Sequence, residues 1–161
     1  MQKFVVKEVV TKKDLKRFIT FVDKLYEGCE FFVQPLHKGQ EYDLMKSPSL
    51  EYCKRKMWIV EDASGKVVGR ICAMINPRYN DKYGKKRVRF GWFDFIDDME
   101  VSAALLDAVT EFGRKAGMTQ VAGPLGFTDF DPEGMLVEGY DKQSIFITYY
   151  TLKRKCMMSP S

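Results

Sequence analysis

The 161-residue chain contains one histidine, His37, and four cysteines that form no Cys-x-x-Cys pair. A structural zinc site needs about four clustered nitrogen or sulfur ligands. We therefore expect no metal site and take the thiols to be reduced. No uninterrupted apolar run approaches the ~20 residues that cross a bilayer, and the charged segment Met1–Lys7 does not read as a signal peptide. These features favour a cytoplasmic protein that does not associate with membranes.

The composition is that of a folded domain. Hydrophobic residues make up 45% of the chain and aromatic residues 14%, which excludes the aromatic-poor class of disordered proteins. Lys and Arg number 26 against 22 Asp and Glu, a net charge of +4 that is weaker than the basic excess of dedicated nucleic-acid binders. We predict a single domain over residues 1–152, followed by a disordered tail over 153–161.

Hydrophobic periodicity predicts two long helices. The first follows Thr11 and ends at Gly28. The second opens with the capping pattern formed by Asp97 and Glu100 and closes at Gly117. Residues 29–56 show no regular pattern except a short helix after Ser47.

Short β-branched and aromatic runs predict strands between these helices. The clearest is a hairpin around Gly65, and the segment Asn76–Lys86 is predicted as a polar loop. The order of elements predicts an α/β (α+β) fold in which helices cover a largely antiparallel sheet. The predicted strands are Phe4–Val10, Met57–Glu61, Val67–Ile75, Arg87–Phe95 and Thr119–Gly123.

This succession resembles the GNAT superfamily of acyl-CoA-dependent N-acyltransferases. The likeness is carried by the segments Trp58–Ile71 and Arg87–Gly117. The stretch Gly123–Phe127 followed by Gly134–Asp141 is similar to one bacterial GNAT-like group. The resemblance implies a mixed, largely antiparallel sheet flanked by helices. It also implies a strand that hydrogen-bonds the pantetheine arm of the cofactor, and a loop at a helix N-terminus that holds its diphosphate.

The resemblance further implies acetyl-CoA or another acyl-CoA as the acyl donor, with no metal. The cofactor-binding residues carried over are Trp92 and Phe93 on the strand, with Val101 and Ser102 at the start of the second helix. Asp94 follows the predicted Val88, Phe90 and Trp92 face and is the candidate general base for an amine, provided that burial raises its pKa. The alternative for Asp94 is a solvent-exposed strand end.

The phosphate loop departs from the superfamily pattern. With Leu105 and Leu106 as the anchor, Asp97 stands where the cation belongs, Glu100 at the first glycine and Ser102 at the second. Two like charges 4 Å apart cost ~4 kcal/mol at the effective dielectric of a protein surface. We therefore expect weak CoA binding or none, unless the basic residues of the 82–89 run reach over. The alternative role for Asp97 and Glu100 is a helix cap.

Three functions remain open. The first is an N-acyltransferase that moves an acyl group from acyl-CoA to the amine of a small molecule or peptide. The second is a non-catalytic GNAT-like binding or interaction module that has lost CoA binding. The third is single-stranded nucleic-acid binding through the Lys82–Arg89 run and its neighbouring aromatic residues, for which a solvated basic loop is the simpler explanation. We assign His37 no catalytic role, because no acid stands in register with it.

The C-terminal region predicts a hairpin from the β-rich runs Met135–Glu138 and Ser144–Tyr150. A complete GNAT member has a helix and a two-stranded unit here. The sheet would then keep an uncovered edge, which proteins usually pair or shield. We therefore expect a homo-oligomer, most simply a twofold dimer, or the front part of a longer protein.

Overall fold

Within the part of the chain that the structure describes, five strands form one mixed sheet in sequence order, β1-β2-β3-β4-β5. The computed structural model describes residues 3–30 and 32–126. Neighbouring strands are antiparallel except β4 and β5, which run parallel. This confirms the predicted fold class. In chain order the elements are β1 Phe4–Glu8, α1 Lys12–Leu25, α2 His37–Met45, a 3-10 helix Pro48–Glu51, β2 Lys54–Asp62, β3 Val67–Ile75, α3 Pro77–Tyr83, β4 Arg87–Phe95, α4 Met99–Lys115 and β5 Gln120–Ala122.

Both faces of the sheet are covered by helices. Val101, Leu105 and Val109 of α4 pack on one face, in one apolar cluster with β-strand side chains. Phe18 of α1 and Leu44 of α2 belong to the cluster on the other face. Because both faces are covered, β3 is buried almost throughout, and its sequence reads as a nearly continuous apolar run.

Two helices were not predicted from the sequence. The segment predicted as a polar loop contains α3, which begins where the Asn76 side chain accepts a hydrogen bond from the Tyr79 amide. Pro77 lies in its first turn, and Gly84 ends it at φ +60°. These are ordinary cap signals, but the helix has only 7 residues and shows no apolar stripe. In α2, Leu44 is the only buried residue, so helical periodicity is absent there as well.

The start of α4 differs by one residue from the predicted cap. The N-cap is Asp98, whose carboxylate accepts from the Glu100 amide at 2.9 Å, whereas Asp97 precedes it. The prediction of reduced thiols is wrong at Cys29, which is disulfide-bonded, because spacing along the chain does not show which cysteines meet in space. The predicted C-terminal hairpin and the 153–161 tail lie outside the described residues. Within the described part of the chain, no helix combines the length and apolar character needed to span a membrane.

Candidate functional site

A β-bulge interrupts the middle of β4. Arg70 of β3 pairs with Asp94, and Cys72 pairs with Gly91, so a single β3 residue opposes both Trp92 and Phe93. Trp92 has φ +48°, a value that is rare for a bulky residue. The extra residue changes which side chains face which helix.

The prediction that Val88, Phe90 and Trp92 share one face of the sheet is wrong because of the bulge. Val88 and Phe90 lie in the α4 cluster, whereas Trp92 lies in the α1 and α2 cluster. Phe93 returns to the α4 side with Phe90, and the two rings meet edge to face at 5.3 Å between centroids. Strict alternation along the sequence would place Trp92 with Phe90 and would place Phe93 on the opposite face, since it takes no account of an inserted residue.

The second half of β4 extends past the end of β5. The parallel pairing runs from Arg87 with Gln120 to Arg89 with Ala122. One more hydrogen bond follows it, from the Leu125 amide to the Phe90 carbonyl at 2.7 Å. The antiparallel pairing of β4 with β3 continues instead as far as Phe95. The two neighbours of β4 therefore end at different points along it.

Asp94 is buried within an ion pair and is not a solvated strand end. Its side chain is 9% exposed. Oδ2 accepts from Nε and Nη2 of Arg70 at 3.0 and 2.9 Å, and Oδ1 accepts from the Tyr26 hydroxyl at 2.9 Å. Arg70 also donates through Nη1 to the Phe18 carbonyl at 2.9 Å. The solvent-exposed alternative is therefore wrong. Any role for Asp94 as a base would use an oxygen that already accepts a hydrogen bond.

Burial is the main reason why the pKa of the Tyr26 phenol lies well above its usual range. The negative charge of Asp94 and the hydrogen bond to it act in the same direction, and the positive charge of Arg70 acts against them. Tyr26 therefore remains a hydrogen-bond donor to Asp94. Together, Arg70, Asp94 and Tyr26 join β3, β4 and the end of α1.

Sequence reasoning missed Arg70 and Tyr26. One signal was available, because Arg70 is a single cation in the apolar run Val67–Ile75, and buried cations are almost always paired. Its partner lies 24 positions away, which requires the strand register to be known.

The predicted cofactor-binding residues are only partly brought together. Phe93 and Val101 share the α4 cluster and are 5% and 0% exposed, whereas Trp92 lies on the opposite face of the sheet. Ser102 lies in the first turn of α4, where its hydroxyl donates to the Met99 carbonyl at 3.0 Å. Because the side chains of Phe93 and Val101 are covered, they are not available to contact a cofactor.

The N-terminus of α4 is occupied by its own cap. The Asp98 carboxylate accepts from the Glu100 amide, which is the main reason why the pKa of Asp98 lies below its ordinary value. Lys3 pairs with the same carboxylate at 3.3 Å. The amides of Val101 and Ser102 bond to the Asp98 carbonyl at 3.2 and 3.3 Å. The N–H groups that would hold a diphosphate are therefore bonded to Asp98 itself, that of Glu100 to its carboxylate and those of Val101 and Ser102 to its carbonyl.

His37 has an acidic neighbour that the sequence did not show. Its Nε2 lies 2.8 Å from Oδ2 of Asp23, so the start of α2 is tied to α1. Both side chains are partly exposed. The pair joins the two helices at the surface.

The basic and aromatic run folds so that its rings face cations. The Arg89 guanidinium lies 4.2 Å from the centroid of the Tyr79 ring, and the Tyr83 ring lies 4.7 Å from the same centroid. Arg78 lies 4.0 Å from the centroid of Tyr52. In residues 3–30 and 32–126, no group of three or more His, Cys, Asp or Glu side chains is placed to hold a metal ion.

Comparison with known proteins connects this geometry to a fold family. No family model matches the chain. Protein YghO of Escherichia coli (strain K12) is 34% identical over 137 residues, covering 84% of this chain and 35% of YghO. The bacterial ceramide synthase of Caulobacter vibrioides (strain NA1000 / CB15N) is 28% identical over 138 residues, covering 83% of this chain and 35% of the synthase.

A solved tandem GNAT protein from the clavulanic acid biosynthesis pathway superposes with a TM-score of 0.59 at 15% identity, covering 73% of this chain and 35% of that one. The chain spans about a third, 35%, of the length of the curated relatives it matches. The chain therefore has the GNAT fold and is related in sequence to YghO and the bacterial ceramide synthase.

Proposed function

We propose that this chain takes part in N-acyl transfer from an acyl-CoA to an amine. Ceramide is an N-acylated amine, and the ceramide synthase of Caulobacter vibrioides is related to the chain over 138 residues. The observation that carries the proposal is the bulged strand β4, which extends past the end of β5. In an N-acyl transfer, the amine nitrogen forms a bond to the thioester carbonyl carbon, the carbon–sulfur bond breaks to release CoA, and the proton that the amine loses ends on the CoA thiolate.

The site fits the acyl and pantetheine groups of an acyl-CoA better than its diphosphate. Among the described residues, β5 pairs with β4 only from Arg87 to Arg89, and an extended pantetheine arm would bond to backbone groups of β4 beyond that point, as an added strand does. The diphosphate finds Asp97, Asp98 and Glu100 at the helix end. The acyl and pantetheine groups would therefore supply most of the binding free energy.

Asp94 remains our candidate for the group that takes the amine proton. It directly follows the bulge residues Trp92 and Phe93, and its carboxylate is held in a fixed orientation by Arg70 and Tyr26. Fixed orientation favours proton transfer, because a general base must lie within hydrogen-bond reach of the proton. For an incoming amine, the Tyr26 hydroxyl is the neighbour that must give way, since Arg70 bonds to the other oxygen.

The test is an assay of the full chain with short and long acyl-CoA donors and a panel of amines that includes long-chain amino alcohols. Mass spectrometry follows the amide, and a thiol reagent follows the released CoA. We expect both products from the wild type and from Asp107→Asn, which alters an exposed carboxylate of α4, and neither from Asp94→Asn. Equal rates in Asp94→Asn would remove Asp94 from the reaction. Absence of both products with every donor would contradict N-acyl transfer.

A second candidate is the non-catalytic binding module. The observation that favours it is the carboxylate of Asp98, which occupies the helix end where a diphosphate would bind. The two candidates differ in one measurable property. The enzyme must bind an acyl-pantetheine, whereas the module binds neither acyl-pantetheine nor acyl-CoA.

A further inference from the structure

Three arginines gather at the end of the sheet away from the N-terminus of α4. We call Arg78, Arg87 and Arg89 the arginine cluster. Arg78 lies over the Tyr52 ring, and Arg89 over the Tyr79 ring, at 4.0 and 4.2 Å from the centroids. Nη1 of Arg87 lies 3.4 Å from the Tyr79 hydroxyl. Arg87 and Arg89 of β4 therefore meet at Tyr79 of α3, and Arg78, the residue before Tyr79, lies over the Tyr52 ring.

The guanidinium groups of the cluster are held in place but not neutralised. Stacking on tyrosine restrains a guanidinium while leaving its N–H edge available. Among the described residues, no carboxylate forms a salt bridge with any of the three arginines. Nε of Arg87 is buried and has no hydrogen-bond partner there. Such a donor costs free energy until an acceptor reaches it.

Two of the three positive charges act on one buried thiol. Burial is the dominant influence on Cys53 and raises its pKa, while Arg89 and Arg78 both act in the opposite direction. Two arginines from different elements therefore lie close enough to Cys53 to act on the same group. The contacts of Arg78 with Tyr52 and of Arg89 with Tyr79 distinguish the cluster from a solvated basic loop, in which no cation is held against a ring.

The same contacts disfavour single-stranded nucleic acid. Base stacking needs accessible ring faces, but Tyr79 already contacts Arg89 and Tyr83, and Tyr52 already contacts Arg78. A compact oxyanion needs no ring face. It needs forked N–H donors, which guanidinium groups supply in the geometry that phosphate and carboxylate oxygens match.

We propose that the arginine cluster is a binding site for a phosphate-type oxyanion on a small molecule. Arg89 pairs across the sheet with Met74, whose side chain lies in the α1 and α2 cluster, so Arg89 faces the same side as Trp92. Three residues along a strand span ~10 Å. If the proposed N-acyl transfer is correct, the site anchors an acceptor amine by a phosphate group about 10 Å from the bulge. This last step rests on the proposed function, whereas oxyanion binding does not.

The test uses the full chain and inorganic phosphate, without any acyl donor. Calorimetry and amide NMR shifts are recorded in potassium phosphate against potassium chloride of the same ionic strength. We expect saturable binding by the wild type and by Arg114→Gln, which alters an exposed arginine of α4 that pairs with Glu111. Arg89→Gln and Arg87→Gln should each weaken binding roughly tenfold or more, the ratio that one charge-assisted hydrogen bond supports.

Arg89→Lys shows whether phosphate binding depends on the planar pair of N–H donors of a guanidinium or on its positive charge alone. It keeps the cation and loses the planar donors, so we expect it to bind phosphate as weakly as Arg89→Gln. Equal weakening by Arg114→Gln, or a response to phosphate that never saturates, would overturn the site. Tighter binding of a thymidine oligonucleotide or of anionic phosphatidylglycerol vesicles, with no competition by phosphate, would also overturn it in favour of a macromolecular surface. Because no acyl donor is present, failure of this test is independent of failure of the proposed function.

Discussion

Arg70 and Asp94 form a buried ion pair in which two guanidinium nitrogens share one carboxylate oxygen. Nε and Nη2 of Arg70 lie 3.0 and 2.9 Å from Oδ2 of Asp94, and the two side chains are 4% and 9% exposed. The pair joins adjacent strands directly beside the β4 bulge. Its second carboxylate oxygen is bonded to Tyr26, so the end of α1 is fixed to the same point of the sheet.

Removing the cation should be costly. Arg70→Met leaves the Asp94 charge buried without its partner, and breaking a buried pair in this way costs about 3–5 kcal/mol of unfolding free energy. Urea denaturation measures the loss, and Arg114→Met at the exposed end of α4 serves as the control. The double variant Arg70→Met with Asp94→Leu should recover much of the stability, since apolar replacements of both partners are often neutral. A single-variant loss no larger than that of the control would contradict the buried pair.

The Tyr26 hydroxyl should also contribute to stability. Tyr26→Phe removes one hydrogen bond to a carboxylate, a change worth about 1.5–3 kcal/mol. Tyr42→Phe is the matched control, because Tyr42 is 52% exposed on α2. Urea denaturation at neutral pH compares the two variants, and equal losses would show that the bond from Tyr26 to Asp94 does not stabilise the fold.

Tyr26 predicts a dependence of stability on alkaline pH. Burial, reinforced by the charge of Asp94, raises the pKa of its phenol above the ordinary value near 10. Above about pH 10 the unfolded chain releases this proton and the folded chain retains it, so the free energy of unfolding falls as the pH rises. Tyr26→Phe should have a flatter curve in this range. Parallel curves for wild type and variant would contradict the raised pKa.

The cap of α4 can be tested with two neighbouring aspartates. Asp98→Ala removes the acceptor of the Glu100 amide and should lower Tm by roughly 2–4 °C. Asp97→Ala should leave Tm nearly unchanged, because Asp97 lies before the cap. The difference should shrink at acid pH, since the pKa of Asp98 lies below its ordinary value in the fold and its stabilising effect is lost as the carboxylate becomes protonated. A larger decrease of Tm in Asp97→Ala than in Asp98→Ala would show that Asp97, the residue predicted from the sequence, is the cap.

Gly69 allows α4 to approach β3 closely. A Cβ at this position would lie 2.7 Å from Cγ1 of Val101 and 3.0 Å from Cδ1 of Leu105, both in the core. Gly69→Ala should therefore destabilise the fold by about 1–3 kcal/mol. Gly39→Ala in α2 is the control, because its nearest contact would be an ordinary 3.7 Å and alanine favours helix by up to ~1 kcal/mol. Chemical denaturation measures the free energy of unfolding of both variants. We expect it to fall in Gly69→Ala and to rise in Gly39→Ala.

The fold class and the longest elements follow from local pattern. The hairpin around Gly65, both long helices and β4 carry clear periodicity or turn residues, and each lies within a few residues of its predicted place. In contrast, α2 has one buried residue, so no apolar stripe marks it. The cap residues Asn76 and Pro77 do mark α3, and a short helix was readable from them.

The candidate site was less predictable, because the strand register determines which distant residues meet there. Asp94 was identified from its place on the strand, but its partners Arg70 and Tyr26 lie 24 and 68 positions away. The bulge at Trp92 has no local sequence signal, since a left-handed backbone usually marks glycine. It reverses the faces of the following residues, and this reversal separates Trp92 from Phe93.

Calorimetry of the full chain with matched acyl-pantetheine and acyl-CoA ligands shows which part of an acyl-CoA supplies its binding free energy. If the acyl and pantetheine groups bind along β4 while the acidic end of α4 repels the diphosphate, acyl-pantetheine should bind at least as tightly as acyl-CoA. Asp97→Arg with Glu100→Gly, which keeps the Asp98 cap, should then improve acyl-CoA binding alone. Tight binding of acyl-CoA together with no binding of acyl-pantetheine, or binding of neither ligand, would contradict acyl-pantetheine binding along β4.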